Sequence, residues 1–268
     1  MRSPTPVEGW LLDPEASDPS IRWQVMRDLL DLPEARWALE RARVETEGWG
    51  ARLLALEDDD GQWAGGAYFP ADFVWGGSEP GQPWTATSHS LTRLREFWLD
   101  PLSERARRMV ELIGQNARWE HDGQRYWEGE VEPCINGQVV ANGAYFGLDV
   151  GVLVDRLVTE RLEDGGWNCE AERGSVRSSF DTTINVLEGL LEHERASGGT
   201  VASRAARGPH AGRTRVGRGV PADAIAVPTA EHRQARRRGL PGTGLPHALA
   251  LRRAACARLL PFSQPARR

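Results

Sequence analysis

The chain contains no lysine: all 33 of its basic residues are arginine. Most arginine codons are GC-rich and both lysine codons are AT-rich, so the absence reads as the codon bias of a GC-rich bacterial genome rather than a demand for guanidinium groups. No stretch approaches the about eighteen consecutive apolar residues that a membrane-spanning helix needs. Met1 to Gly9 lacks the charged, apolar, then small-residue order of a secretory signal. The three cysteines, Cys134, Cys169 and Cys256, are too few and too scattered for a disulfide framework, and no C-x-x-C occurs. These absences together point to a protein of the reducing cytoplasm. Glycine-rich phosphate loops, H-E-x-x-H and G-x-S-x-G are missing too, which argues against a nucleotide enzyme, a zinc protease of that type or a serine hydrolase.

Two unlike polypeptides are joined in this chain. Residues 1–200 hold 36 acidic and 19 basic side chains, and residues 201–268 hold 2 acidic and 14 basic. All 11 tryptophans fall before residue 168. The later segment has one aromatic residue besides its histidines, Phe262, and is broken by Pro209, Pro221, Pro228, Pro241, Pro246, Pro261 and Pro265. It reads as an irregular, mostly disordered basic tail, of a composition that loss of reading frame in a GC-rich gene also produces. Without stacking aromatics, its short arginine cluster at Arg236 to Arg238 makes nucleic-acid binding an unlikely use.

The first 200 residues read as helices. Asp18 and Ser20 precede Ile21, Val25 and Leu29 at helical spacing, which predicts a helix over 19–31. A second helical stretch covers 37–56. Further helices are expected over 85–98, from Asp100-Pro101 onward with Leu102, Ala106, Met109, Ile113 and Ala117 on one face, and over 134–146, 150–162 and 179–194. Superposed, these segments repeat. Phe97-Trp98-Leu99-Asp100 precedes Phe146-Gly147-Leu148-Asp149 by 49 residues, and a further shift of 47 brings Val140 onto Leu187. The loops repeat as well, in Asp60-Gly61-Gln62-Trp63, Asp122-Gly123-Gln124-Arg125-Tyr126-Trp127 and Asp164-Gly165-Gly166-Trp167. Glycine suits the left-handed turn that ends a helix, and the tryptophan is expected to fold back over the seam between hairpins.

Glu57-x-x-x-Gly61-x-Trp63 and Arg161-x-x-x-Gly165-x-Trp167 resemble the Q-x-x-x-G-x-W repeat of squalene and oxidosqualene cyclases, with Glu and Arg in the glutamine position. Cys134-Ile135-Asn136-Gly137 and Ser179 to Leu187 are similar to inner-helix starts of the same superfamily, which includes the protein prenyltransferases. The resemblance covers residues 17–197. It implies an all-α fold, an α/α toroid of helix hairpins. About seven helices are visible where a closed six-hairpin ring needs about twelve, so the toroid is expected to be incomplete. Its open repeat end would favour oligomers. The implied function is that of a squalene cyclase- or prenyltransferase-like protein with an apolar cavity for an isoprenoid or lipid. The alternatives are a non-catalytic toroid serving as a binding or scaffold module and, less favoured, an α/α-barrel glycoside hydrolase.

In such a ring the starts of the inner helices surround the cavity mouth. The register places Thr85, Cys134 and Asp181 in one column and His89, Gln138 and Asn185 in another. His89, Asp181 and Cys134 are the candidate catalytic residues. Thr85, Gln138, Asn185, Trp84 and Trp167 are the candidate substrate-binding residues. The bland alternative is that these polar residues cap helices. The Asp-x-Asp-Asp acid motif of alkene-protonating cyclases is missing, and Asp58-Asp59-Asp60 reads as a solvated turn. Asp181, Cys134 and His89 have the residue types of a prenyltransferase zinc site. No short ligand spacing supports them, so neither a metal nor a cofactor is expected. For a glycoside hydrolase the acid–base candidates would be Glu130, Glu132, Glu170 and Asp181.

Overall fold

The computed structural model describes residues 3–74 and 83–197. The basic tail, with its expected short helix near 248–260, lies outside the described residues. Within them the chain is all-α. Among the described residues, nine α-helices are joined by turns and short 3-10 or π segments, and isolated bridges at Trp63–Gly66 and Arg118–Arg125 are the only β pairing. No helix among the described residues is long and apolar enough to cross a membrane.

The helices are α1 (Pro6–Leu12), α2 (Pro19–Gln24), α3 (Glu34–Ala42), α4 (Gly48–Leu54), α5 (Thr87–Glu96), α6 (Glu104–Asn116), α7 (Pro133–Tyr145), α8 (Gly151–Thr159) and α9 (Phe180–Ala196). Helix α1 was not expected from the sequence. A capping box holds it, with Thr5 accepting from the Glu8 amide and Glu8 accepting from the Thr5 amide. The expected helix over 19–31 is α2 continued by a π-helical turn over Val25–Leu29. The stretch over 37–56 is not one helix. It breaks at Gly48, whose φ of +67° is left-handed, and the Asp18 carboxylate takes the freed Trp49 amide at 2.7 Å. The helix expected at Asp100-Pro101 starts three residues later, because Ser103 is the side chain that caps the Ala106 amide. Asp100 instead closes a turn on Leu102, which lies outside the helix and is exposed, whereas Ala106, Met109, Ile113 and Ala117 are buried as the stripe requires.

Helices α5, α7 and α9 lie side by side and run in the same direction. Near their starts, Gln138 of α7 donates to Asn185 of α9 at 3.2 Å. Near their ends, Arg95 of α5 donates to Asn142 of α7 at 3.0 Å and lies 3.9 Å from Glu192 of α9. Asn142 completes the link by donating to Thr92 at 3.1 Å. Helices α7 and α9 touch backbone to backbone: a methyl group on Gly189 would sit 2.2 Å from the Gly137 carbonyl oxygen. Leu91 and Leu94 of α5, Met109 and Ile113 of α6, Val139 and Val140 of α7, Leu153 and Leu157 of α8 and Val186 of α9 form one continuous core, closed by Trp63, Trp119, Tyr126 and Trp167. A second aromatic group sits toward the N-terminus, where the Arg27 guanidinium stacks over Trp23 and Trp98 at 4.5 and 4.6 Å.

The loops after α4, α6 and α8 are built alike. Gly61, Gly123 and Gly165 have φ of +86°, +72° and +94°, the left-handed turn for which only glycine is unstrained. In the first and third loops the chain closes with the same pair of bonds, Asp58 to Gln62 and Leu162 to Gly166. The tryptophan that follows is buried, and its indole N–H is given to a carbonyl ten residues back. Trp63 donates to Leu53 at 2.8 Å and Trp167 to Leu157 at 2.6 Å. Leu53 and Leu157 stand in the last turns of α4 and α8, where helix carbonyls have no partner in their own helix.

Candidate functional site

Helices α5, α7 and α9 each fasten the preceding loop through one polar residue near the helix start. Thr87 accepts the Trp63 amide at 3.1 Å and donates to the Gly66 carbonyl at 2.7 Å. Asn136 accepts the Glu130 amide and donates to the Glu130 carbonyl, both at 2.7 Å. Thr183 accepts the Trp167 amide at 3.1 Å and donates to the Trp167 carbonyl at 3.3 Å. These positions are 49 and 47 residues apart, the offsets of the sequence repeat. The column Thr87, Asn136, Thr183 escaped the sequence reading because a threonine or asparagine at a helix start looks like an ordinary cap. The signal was its recurrence at the repeat offset, two residues along from the column holding Thr85.

The candidate residues divide among several environments. Thr85 is exposed and lies in the 3-10 turn Pro83–Thr85, ahead of α5. His89 packs between Tyr68 and Trp84, with ring centroids 4.6 and 5.1 Å away, and its Nε2 is 3.1 Å from the Tyr68 carbonyl oxygen. Asp181 is exposed in the first turn of α9, and its carbonyl accepts from Asn185. Gln138 and Asn185 are joined to each other. Trp167 is 3 % exposed and packs in the core, its indole N–H given to the Leu157 carbonyl. Of the expected catalytic set, His89 lies among aromatic rings, Cys134 at the start of α7 and Asp181 in the first turn of α9, next to Thr182.

Cys134 instead meets Cys169, which the sequence reading left unassigned. Their sulfurs are 2.6 Å apart and the thiols are free. Glu132, the residue before α7, brings a carboxylate oxygen to 3.5 Å from the Cys134 sulfur. The two sulfurs and the carboxylate oxygen all lie within 4.8 Å of one another. Thr182 buttresses the group, its hydroxyl donating to the Cys169 sulfur at 3.3 Å while accepting the Cys169 amide. The contact between the sulfurs and the burial of the site push the Cys134 thiol up, and the same contact, aided by the Thr182 hydroxyl, pulls the Cys169 thiol down. The pair thus holds one proton more firmly than the other. The 35 residues between the cysteines hid this pairing. The clue was register, since Cys134 lies at the start of α7 and Cys169 follows the Gly-x-Trp turn that leads to α9.

Beside this group, Glu130 is buried, and its carboxylate accepts the Glu132 amide at 2.6 Å. Burial raises its pKa above the usual carboxylate value. A carboxyl group that protonates more readily in the folded chain than in the unfolded one adds stability as pH falls from the raised value toward the ordinary one. Glu130→Gln should flatten that part of the stability profile, as denaturation at a series of pH values would read out.

Two shallow grooves of about 470 and 450 Å3 flank α4, one lined by residues including Thr46, Ala51 and Ala55 and the other by residues including Pro14, Arg22 and Trp49; neither is bordered by α7 or α9. Comparisons of the chain with protein-family models, with curated proteins and with solved structures return no match.

Proposed function

We propose that this chain is an α/α-toroid protein of the squalene cyclase and prenyltransferase kind, and that it takes an isoprenoid or lipid whose polar head meets the starts of its inner helices. The observation carrying this reading is the loop clamp repeated at Thr87, Asn136 and Thr183, because a clamp recurring at the offsets of a hairpin repeat is what a ring built from equivalent hairpins requires. Gln138 and Asn185, half-buried and bonded across α7 and α9, are the side chains placed to meet a head group. Self-association through the open repeat end belongs to the same reading, on the side of α9 where Phe180, Ile184 and Leu191 are exposed.

A second reading, a non-catalytic binding or scaffold module, is favoured by the chemistry along the inner helices. Thr92, Arg95, Asn142 and Glu192 are engaged with one another, and Asp60 serves its own turn by accepting from Gln62. Calorimetry of the full chain with farnesyl diphosphate tests the first reading: saturable heat is expected, weakened about tenfold, or about 1.4 kcal/mol, in the double variant Gln138→Ala, Asn185→Ala. Heat that is absent, or unchanged in that variant, would sink it. Binding without any product after prolonged incubation would select the scaffold reading.

A further inference from the structure

Glu132, Cys134 and Cys169 come from two different stretches of chain, the start of α7 and the turn before α9, and converge with their donor atoms inside a 4.8 Å span. Three potential anions, two thiolates and a carboxylate, are thereby gathered at one half-buried point, with the Glu130 carboxylate close behind. Among the described residues, no arginine or histidine forms an ion pair with Glu132. Such a grouping is costly as anions alone, and a bound cation reverses that cost.

We propose that Cys134, Cys169 and Glu132 form a binding site for a thiophilic divalent cation, with Zn2+ the best match. Thiolate sulfur and carboxylate oxygen are both ordinary zinc donors, at about 2.3 and 2.0–2.2 Å. Seating a tetrahedral ion opens the two sulfurs to roughly 3.7 Å, a side-chain rotation of about an ångström. Both thiols give up their protons on binding, so uptake weakens as pH falls. Thr182 is the outer partner: its hydroxyl, fixed to the Cys169 sulfur, orients that ligand. Three protein donors leave the fourth position to water or an incoming ligand. The site stands independently of the isoprenoid reading, and of the set His89, Cys134 and Asp181 weighed from the sequence it keeps only Cys134.

The test is titration of the full, reduced, metal-stripped chain with Co2+, followed by competition with Zn2+. One ion per chain is expected, with a thiolate-to-cobalt charge-transfer band that Zn2+ abolishes. Cys134→Ser and Cys169→Ser should each remove the band. Glu132→Gln should weaken binding at least about tenfold, the lower end of what losing even an outer partner costs. Cys256→Ser should leave binding intact. Should a serine variant fail to fold, alkylation of the native chain serves instead, since Zn2+ should protect Cys134 and Cys169 from iodoacetamide while Cys256 still reacts. A band that survives Cys134→Ser, or equal alkylation with and without Zn2+, overturns the proposal. So does a reduced chain that takes up no cobalt but forms a Cys134–Cys169 disulfide in air.

Discussion

Trp167→Ala and Trp63→Ala should each destabilise the described domain by about 3–5 kcal/mol, the cost of emptying a buried aromatic site. Both rings are almost fully buried, at 3 % and 1 % exposure, and lie inside the continuous core. Trp167→Ala also removes the indole N–H that serves the Leu157 carbonyl at the end of α8, whereas the Leu53 carbonyl keeps the Leu56 amide at 3.1 Å after Trp63→Ala. The backbone amides of the same residues are held by Thr183 and Thr87, so the loops stay tethered, and the loss falls on the seam between hairpins. Trp10→Ala is the matched control, because that ring is 61 % exposed and should cost only a few tenths of a kcal/mol. Urea denaturation of the full chain, read by circular dichroism, measures all three. Equal midpoints for Trp167→Ala and Trp10→Ala would refute the packing role.

The second large effect concerns a residue with no side chain. Alanine normally improves a helix interior over glycine by about 0.8–1.0 kcal/mol. At Gly189 the added methyl would lie 2.2 Å from the Gly137 carbonyl oxygen and 3.0 Å from its Cα. Those are backbone atoms of α7 and cannot rotate aside, so α7 and α9 must part. Overpacking of this kind costs about 1–3 kcal/mol and occasionally more, and parting the helices also strains the bond between Gln138 and Asn185. Gly189→Ala should therefore destabilise the chain by about 2 kcal/mol. Gly9→Ala in α1, where nothing lies within 4 Å of the new methyl, should stabilise it slightly. Two identical substitutions with opposite signs separate close packing from helix propensity, and denaturant midpoints of the two variants decide it.

The contrast between these glycines marks what a sequence discloses. Buried stripes were legible because 3.6-residue spacing is local, and Ala106, Met109 and Ile113 lie where it puts them. The Gly-x-Trp turns were legible because a left-handed glycine and a large ring are rare enough to stand out when they recur. By helix propensity alone, Gly137 and Gly189 weaken the helices they sit in. Only the contact between α7 and α9, 52 residues apart in the chain at these positions, makes them a seam. Gly48 was overlooked for a related reason: the apolar pattern runs across it, and the Asp18 carboxylate that favours the break comes from 31 residues away. The thiol group is the extreme case. Cys134 was singled out by register, but its partners Cys169 and Thr182 are brought to it by the clamp on the following loop. A search for short ligand spacings cannot find a site assembled that way.

The clamps also settle where one unit of this chain stops and the next begins. Each loop is covalently continuous with the helix before it, yet its amides and carbonyls are satisfied by the helix after it, through Thr87, Asn136 or Thr183. A loop therefore travels with its successor. If such a chain gains or loses hairpins over evolutionary time, the tolerated joints are those that keep loop and following helix together, with cuts near the ends of α4, α6 and α8. A cut at the helix starts would strand each loop without its anchor. Chain length could then change in whole loop-and-helix steps, with every turn arriving already matched to the helix it docks on.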